Sequence, residues 1–252
     1  MKPRELGNLL DARLESARFT DYSPNGLQVE GCAKIRRVVV GVSASQALID
    51  AAAERGADAL IVHHGFFWKG ENPCLVGYRR QRIATLIAHD INLFAYHLPL
   101  DAHPELGNNA QWAKAMGWRV SGRFGRQDMG FWGELPDPCR LDELAARLTA
   151  TLGRPPLAVG AKDRRVWRIA WCSGGAQGYI EDALALAETM KIDAYLSGEI
   201  SEQTPHIARE NHIAYLACGH HATERFGPQA LADWLKTHTG LDCEFIDCPN
   251  PA

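Results

Sequence analysis

Three short clusters hold the side chains best suited to chemistry: His63-His64-Gly65, His97-Leu98-Pro99-Leu100-Asp101 and Gly219-His220-His221-Ala222-Thr223-Glu224. Imidazole combined with carboxylate, and no thiolate, is the ligand set of a Zn, Fe, Mn or Co site rather than of structural zinc. A single catalytic zinc takes about three protein ligands and keeps one position open. The clusters offer more donors than that, and a carboxylate can bridge, so their number points to two ions. Taken singly, each residue has a blander reading. A lone histidine at a strand end is an ordinary polar loop residue. Asp101 can cap a helix, and Glu224 can answer the dipole of a first helical turn. The recurrence at three strand ends is what favours a metal.

Positioning these clusters falls to short apolar runs at 59–62, 91–96 and 213–217, each the length of a strand buried on both faces. Ligands of open α/β sheets gather beyond the carboxyl ends of such strands. Adjacent strand residues point to opposite faces, so His63 and His64 are expected to serve different ions. Around the runs, helical spacing or length predicts helices over 3–19, 46–55, 78–89 and 108–116. Ser43 or Ser45 caps the second of these, and Gly56 and Gly117 stop the second and fourth. Residues 21–31, rich in Pro, Gly and Asn, read as a loop, and 38–42 as a buried strand. The last third alternates in the same way: strands at 167–171, 193–196, 213–217 and 243–246, with helices at 178–190, 203–210 and 229–237.

An internal repeat links the two ends of the chain. Asp58-Ala59-Leu60-Ile61 matches Asp193-Ala194-Tyr195-Leu196, and Ile91-Asn92-Leu93-Phe94-Ala95 matches Ile213-Ala214-Tyr215-Leu216-Ala217. Each later strand is followed by a glycine, Gly107 or Gly227, and a helix bearing Trp112 or Trp234. The expected fold is therefore α/β: duplicated α/β halves, with a central sheet flanked by helices, formed by 1–117 and 166–252. Residues 118–165, with a strand-like stretch, a helix at 141–152, a Pro155-Pro156 break and a short strand at 157–159, read as a small inserted α+β lobe. The repeat puts the second and third clusters at equivalent strand ends, able to face one another across a cleft.

Composition narrows the partners. The 252 residues are 46% hydrophobic and 23% charged, ordinary for a chain with a real core. A net charge of -3, with 27 scattered basic residues, argues against nucleic acid or an anionic membrane as partner. No apolar run approaches the ~18 residues needed to cross a bilayer. Met1-Lys2-Pro3-Arg4-Glu5 lacks the apolar core of a signal peptide, so the expected setting is cytoplasmic. The seven cysteines include no CxxC pair and are expected to be reduced, mostly buried thiols.

Together the three clusters, Ser197-Gly198-Glu199 and the N-terminal Asn25-Gly26-Leu27-Gln28-Val29-Glu30-Gly31 resemble the signatures of the Nif-three-like proteins. That family is also described as dinuclear-metal-centre hexameric proteins, or type 2 GTP cyclohydrolase 1 homologues. The resemblance spans essentially the whole chain, with its motifs in order. It implies His63, His64, Asp101, His220 and Glu224 as metal ligands, with Glu224 bridging two divalent ions. It further implies a toroidal homohexamer whose metal sites face an internal cavity. Some relatives carry a larger domain in the middle, for which this chain has only the 118–165 lobe.

Neighbouring residues are assigned supporting parts. His97 is a proton shuttle or a plain hydrogen-bonder, and Glu199, at the repeat position of His64, orients a ligand or accepts a proton. His221 is a candidate sixth ligand, and His206 is a helix residue best placed at the surface. Ser173-Gly174-Gly175-Ala176-Gln177-Gly178 is a tight turn more than a phosphate cradle. Trp68 can cover the site or meet another subunit. The expected activity is metal-dependent hydrolysis of a nucleotide or other small molecule, with GTP cyclohydrolase-type chemistry implied only by the resemblance. A non-enzymatic metal-binding scaffold, trafficking factor or regulatory protein is the alternative.

Overall fold

The computed structural model describes all 252 residues. In chain order, the first stretch contains α1 (Pro3–Leu14), β1 (Gly26–Val29), β2 (Arg37–Ser43), α2 (Gln46–Glu54), β3 (Ala59–His64), α3 (Gly77–Ala88), β4 (Asn92–Ala95) and α4 (Leu98–Ala102). The middle holds α5 (Asn108–Met116), β5 (Arg119–Phe124), β6 (Gly130–Arg140), α6 (Leu141–Leu152) and β7 (Leu157–Val159). The last stretch runs β8 (Arg165–Cys172), α7 (Ile180–Met190), β9 (Ala194–Ser197), α8 (Thr204–Glu210), β10 (Ala214–Ala217), α9 (His220–Thr223), α10 (Phe226–Thr239) and β11 (Asp242–Phe245). The architecture is mixed α/β, as expected, with one sheet in each of two compact units. Short βαβ steps build both sheets because the apolar runs must be covered by helices on both faces.

The first unit comprises Met1–Leu100 and Gly227–Pro249. Its sheet has the order β1-β4-β3-β2-β11, parallel except for β1 at one edge. Val39, Leu60, Val62 and Leu93 pack there with Leu48, Ile49 and Leu86 of the helices. Ser45 caps α2 as expected, its hydroxyl accepting from the Leu48 N–H at 3.3 Å. Residues 26–29, expected as loop, form the edge strand β1. Its four residues pair with β4 on one side only, and so short an edge strand leaves little periodicity to read.

The second unit comprises Asp101–Phe226 and Asn250–Ala252. Its sheet has the order β5-β6-β8-β9-β10-β7, with β8, β9 and β10 parallel. On one face Trp112, Trp118 and Trp171 form a buried chain, with ring centroids 5.4 and 5.1 Å apart. On the other lie Tyr195 and Tyr215 with Ile180 and Ala208.

Topology extends the repeat beyond the two matched runs. The order α1-β1-β2-α2-β3-α3-β4 recurs as α6-β7-β8-α7-β9-α8-β10, each time with three parallel strands and one antiparallel edge strand. Asp58 and Asp193 make the same bonds: Oδ2 of Asp58 accepts from the backbone N–H groups of Arg36 and Arg37, and Oδ2 of Asp193 from those of Trp167 and Arg168. Asp90 and His212, each just ahead of the later strand, both sit in the left-handed region, at φ 51° and 54°.

The boundaries differ from those expected. The second repeat begins at α6, so residues 118–165 are not a separate lobe: β5, β6 and β7 hydrogen-bond into the sheet of β8, β9 and β10. The helix after each half's last strand also changes unit. α5 belongs to the second unit, while α10 and β11 belong to the first. Strand pairing is non-local, and local sequence pattern does not carry it.

No helix is long and apolar enough to cross a membrane. All seven cysteines are free thiols, and burial pushes those of Cys172 and Cys218 upward, which keeps them protonated.

Candidate metal centre

In the first unit β3 ends in His63 and His64, and β4 leads into His97. His63 is fully buried, and its Nδ1 lies 3.0 Å from the Tyr96 carbonyl oxygen. A carbonyl only accepts, so Nδ1 carries the proton and Nε2 is the atom with an electron pair to donate. His64 sits opposite Ser43 in the β2–β3 register, and its Nδ1 is 3.0 Å from the Ser43 hydroxyl. His97 gives its Nδ1–H to Asp21 at 2.7 Å. The three rings are neighbours, with centroids 4.5, 5.1 and 5.8 Å apart. One ligand atom from each lies within 4.8 Å of the others.

Asp21 is the anchor for the His97 turn. It accepts from Asn25 at 2.9 Å and from the Leu98 N–H at 3.0 Å, while Asn25 accepts from the His97 N–H at 2.8 Å. Burial pushes the Asp21 carboxyl up, but the hydrogen bond and positive charge of His97, then Asn25 and the Tyr22 N–H, outweigh it and hold the pKa at about 2.

In the second unit Asp101, 5% exposed, is held through Oδ1, which accepts from Asn108 and from the Ser173 hydroxyl, both at 2.9 Å. Asn109 in turn accepts from the Ser173 N–H at 2.8 Å. His220 donates Nδ1–H to Glu199 at 2.7 Å, and Gln177 donates to the other Glu199 oxygen at 3.2 Å. Nε2 of His220 is 3.1 Å from the Glu224 carboxylate, one helical turn on. Burial pushes His220 down, yet the hydrogen bonds and charges of Glu224 and Glu199 raise its pKa to about 9. In the metal-free protein a proton thus neutralises the pair, at the atoms where a cation is expected.

Gly174 shows how closely this region is built. It lies at φ 64°, and a Cβ there would sit 1.9 Å from Glu224 Oε1 and 3.3 Å from His220 Nε2. Its N–H donates to Thr223 at 3.0 Å, and its carbonyl accepts from the Gly198 N–H at 2.9 Å. The turn at 173–178 therefore serves as a wall against Glu224.

Each expected site residue has a definite place. His63, His64 and His97 come together in the first unit; His220, Glu224 and Glu199 come together in the second, where Asp101 lies in the Ser173–Asn108 network. His206 is exposed on α8. His221 is buried, and its backbone N–H donates to the Ala252 carbonyl at 3.3 Å. Sequence reasoning gave no site role to Asp21 or Asn108, took Asn25 only as part of a family motif and Ser43 as a helix cap, and read Ser173 and Gly174 as a tight turn. Extending the repeat along β2 and β8 would have brought Ser43 and Gly174 to equivalent positions, because Val38 pairs with Ala59 as Ile169 pairs with Ala194.

The donor set suits divalent metal ions. Imidazoles turned by acceptors at Nδ1, beside a carboxylate, Asp101, fixed by neutral donors, are what first-row ions take. A backbone cradle at Gly174 that excludes any side chain keeps room beside Glu224.

Residues 1–251 match the family model described as Duf34/NIF3 (NGG1p interacting factor 3). A Pseudomonas aeruginosa protein named GTP cyclohydrolase 1 type 2 homolog is 54% identical over 245 residues, 96% of this chain and 95% of that one. A solved structure described as protein ybgI, of unknown function, superposes with a TM-score of 0.95 at 52% identity over the whole of both chains. That of TTHA1606 from Thermus thermophilus superposes at 0.86, with 36% identity and full coverage of both.

Proposed function

The chain belongs to the Duf34/NIF3 family, and from that premise we propose that it is a hydrolase dependent on two divalent metal ions held by His63, His64, Asp101, His220 and Glu224, with Glu224 as the bridge. The observation that carries this reading is shared by His63 and His220: a protein acceptor takes Nδ1–H and leaves Nε2 to meet a cation, on His220 in exchange for the proton it shares with Glu224. Bound ions would supply Lewis acidity, making a water nucleophilic near neutral pH and drawing charge from the group attacked. The relatives' name supports a GTP cyclohydrolase-type reaction, in which water opens the imidazole ring of a purine.

The chain's own residues have distinct parts in this scheme. Glu199 orients His220 through its Nδ1–H. Ser173 and Asn108 turn the Asp101 carboxylate by occupying Oδ1. His97, backed by Asp21 and beside His63 and His64, moves the proton to the leaving group from Nε2. The reading includes a cytoplasmic setting and assembly into a homohexamer.

Metal analysis of purified, reconstituted protein is expected to give two ions per chain, and a value near zero would overturn the ligand set. Turnover should then be sought across a nucleotide panel. Glu224→Gln is expected to abolish it; undiminished activity in that variant would place the chemistry elsewhere. Transfer of ions to an acceptor protein without any turnover would favour the scaffold reading instead.

A further inference from the structure

The loop that follows His63 and His64 does more than leave the sheet. It turns sharply at Gly65, where a Cβ would meet Gln28 Oε1 at 2.2 Å and Ala95 Cβ at 2.5 Å. Gln28 then clasps Phe66 at both ends, accepting from its N–H at 2.7 Å and donating to its carbonyl at 3.2 Å. Phe67 sits at φ 65°, a conformation that costs a bulky residue free energy. Beyond it the loop and α3 border a partly open cavity of about 150 Å³ lined by Phe66, Phe67, Trp68, Pro73, Leu75 and Ile83. The lining is mostly apolar and aromatic; its polar members are Asn72 and the Glu71–Arg79 ion pair, at 3.0 Å.

Size and chemistry together select an occupant. An apolar cavity of about 150 Å³ takes one benzene-sized ring. Flat aromatic walls favour a flat partner in offset or edge-on contact. Location connects the cavity to the histidines. The Trp68 indole N–H donates to the Gly65 carbonyl at 3.2 Å, which fixes the ring. That ring stands edge-on to His97, with centroids 4.9 Å apart, and 5.9 Å from His64. Trp68 is therefore both a wall of the cavity and a neighbour of His97, the proposed proton carrier, and of His64, a proposed metal ligand. Phe67 and Leu75, 45% and 48% exposed, form its outer lip.

We propose that this cavity binds one six-membered aromatic or heteroaromatic ring of the substrate, and that Trp68 sets the distance from that ring to the reacting group at His64 and His97. The inference rests on the metal-dependent hydrolase reading and deepens it by naming a substrate class: molecules with an unsaturated ring at one end and the hydrolysed bond about one ring width away.

The test uses the full-length chain, loaded separately with Mn²⁺ and Zn²⁺, and 4-fluorobenzyl alcohol observed by fluorine NMR. Saturable binding is expected, with extra line broadening in the Mn²⁺ form and about tenfold weaker binding to Leu75→Trp, which closes the lip. Ile83→Phe, which fills the floor, should weaken binding similarly, and cyclohexylmethanol should compete poorly. Absence of saturable binding, or binding that both variants leave unchanged, overturns the proposal. Binding without Mn²⁺-dependent broadening, in protein that metal analysis shows to be loaded, overturns it too. Dissociation of assembled chains by the probe would mean that a second copy's side chain is the occupant, and would also overturn it. Ring binding blocked by both variants in protein that takes up no metal would uphold the ring site and sink the metal reading.

Discussion

Gly174 meets Glu224 with no room for a methyl group, and this gives the sharpest test at the scale of single residues. Gly174→Ala forces a Cβ to within 1.9 Å of Glu224 Oε1 and places a side chain at φ 64°. The backbone cost is about 1 kcal/mol. The larger expected effect is on the ions: Glu224 must swing away, and metal affinity should fall at least about tenfold while the fold persists. Calorimetric metal titration beside thermal unfolding separates the two, and unchanged affinity would remove Gly174 from the site. Asp21 gives a pH-dependent prediction. Its folded pKa of about 2 lies below the ordinary 3.8, so its contribution is present above pH 4 and lost as pH falls toward 2. Asp21→Asn should cost roughly 2 kcal/mol at pH 6, and the gap from the parent should shrink as urea unfolding is repeated toward pH 3. A gap that stays constant with pH would mean that the carboxylate's charge is not what holds the His97 turn.

Among the elements, equivalent parts of the two repeats should behave alike. Asp58 and Asp193 each tie two adjacent backbone N–H groups, Arg36 and Arg37 entering β2 and Trp167 and Arg168 within β8. Replacing either by alanine strands two donors, for an expected loss of about 1–3 kcal/mol. Comparable losses in both variants, measured by denaturant unfolding, would bear out the equivalence; a loss at one position alone would break it. The chemistry, in contrast, is not duplicated. Ser43 supports a histidine in the first repeat, where the matching Gly174 makes way for a carboxylate in the second. The strand ends are shared property of the repeat, and the side chains placed on them have diverged.

For the whole molecule, the chain passes from the first unit to the second after Leu100 and back again after Phe226. The first unit therefore depends on α10, with buried Leu231 and Leu235, and on β11, which pairs along β2. A chain ended after Phe226 loses both, exposing the edge of β2 and much apolar surface. That truncation is expected to unfold the first unit and with it the seat of His63 and His64. Reduced circular dichroism and loss of bound metal would report it; a fully folded, metal-binding product would contradict the assignment of those elements.

Read by itself, the sequence determined the α/β class and most of the strands and helices, and it singled out histidines and carboxylates at the strand ends as the candidates for chemistry. Buried parallel strands are continuous apolar runs, and histidines just beyond them stand out against such a background. It also revealed the repeat where strand residues matched. Tertiary structure decided what surrounds those residues. Asp21 comes to His97 from 76 positions away, Ser173 to Asp101 from 72, and Ser43 to His64 from 21. No local pattern encodes such pairings, because a hydrogen bond needs only geometry and a compatible donor, which many polar residues offer. Strand order was hidden for the same reason: β7 joins β10 and β11 joins β2 through backbone groups that every residue carries alike.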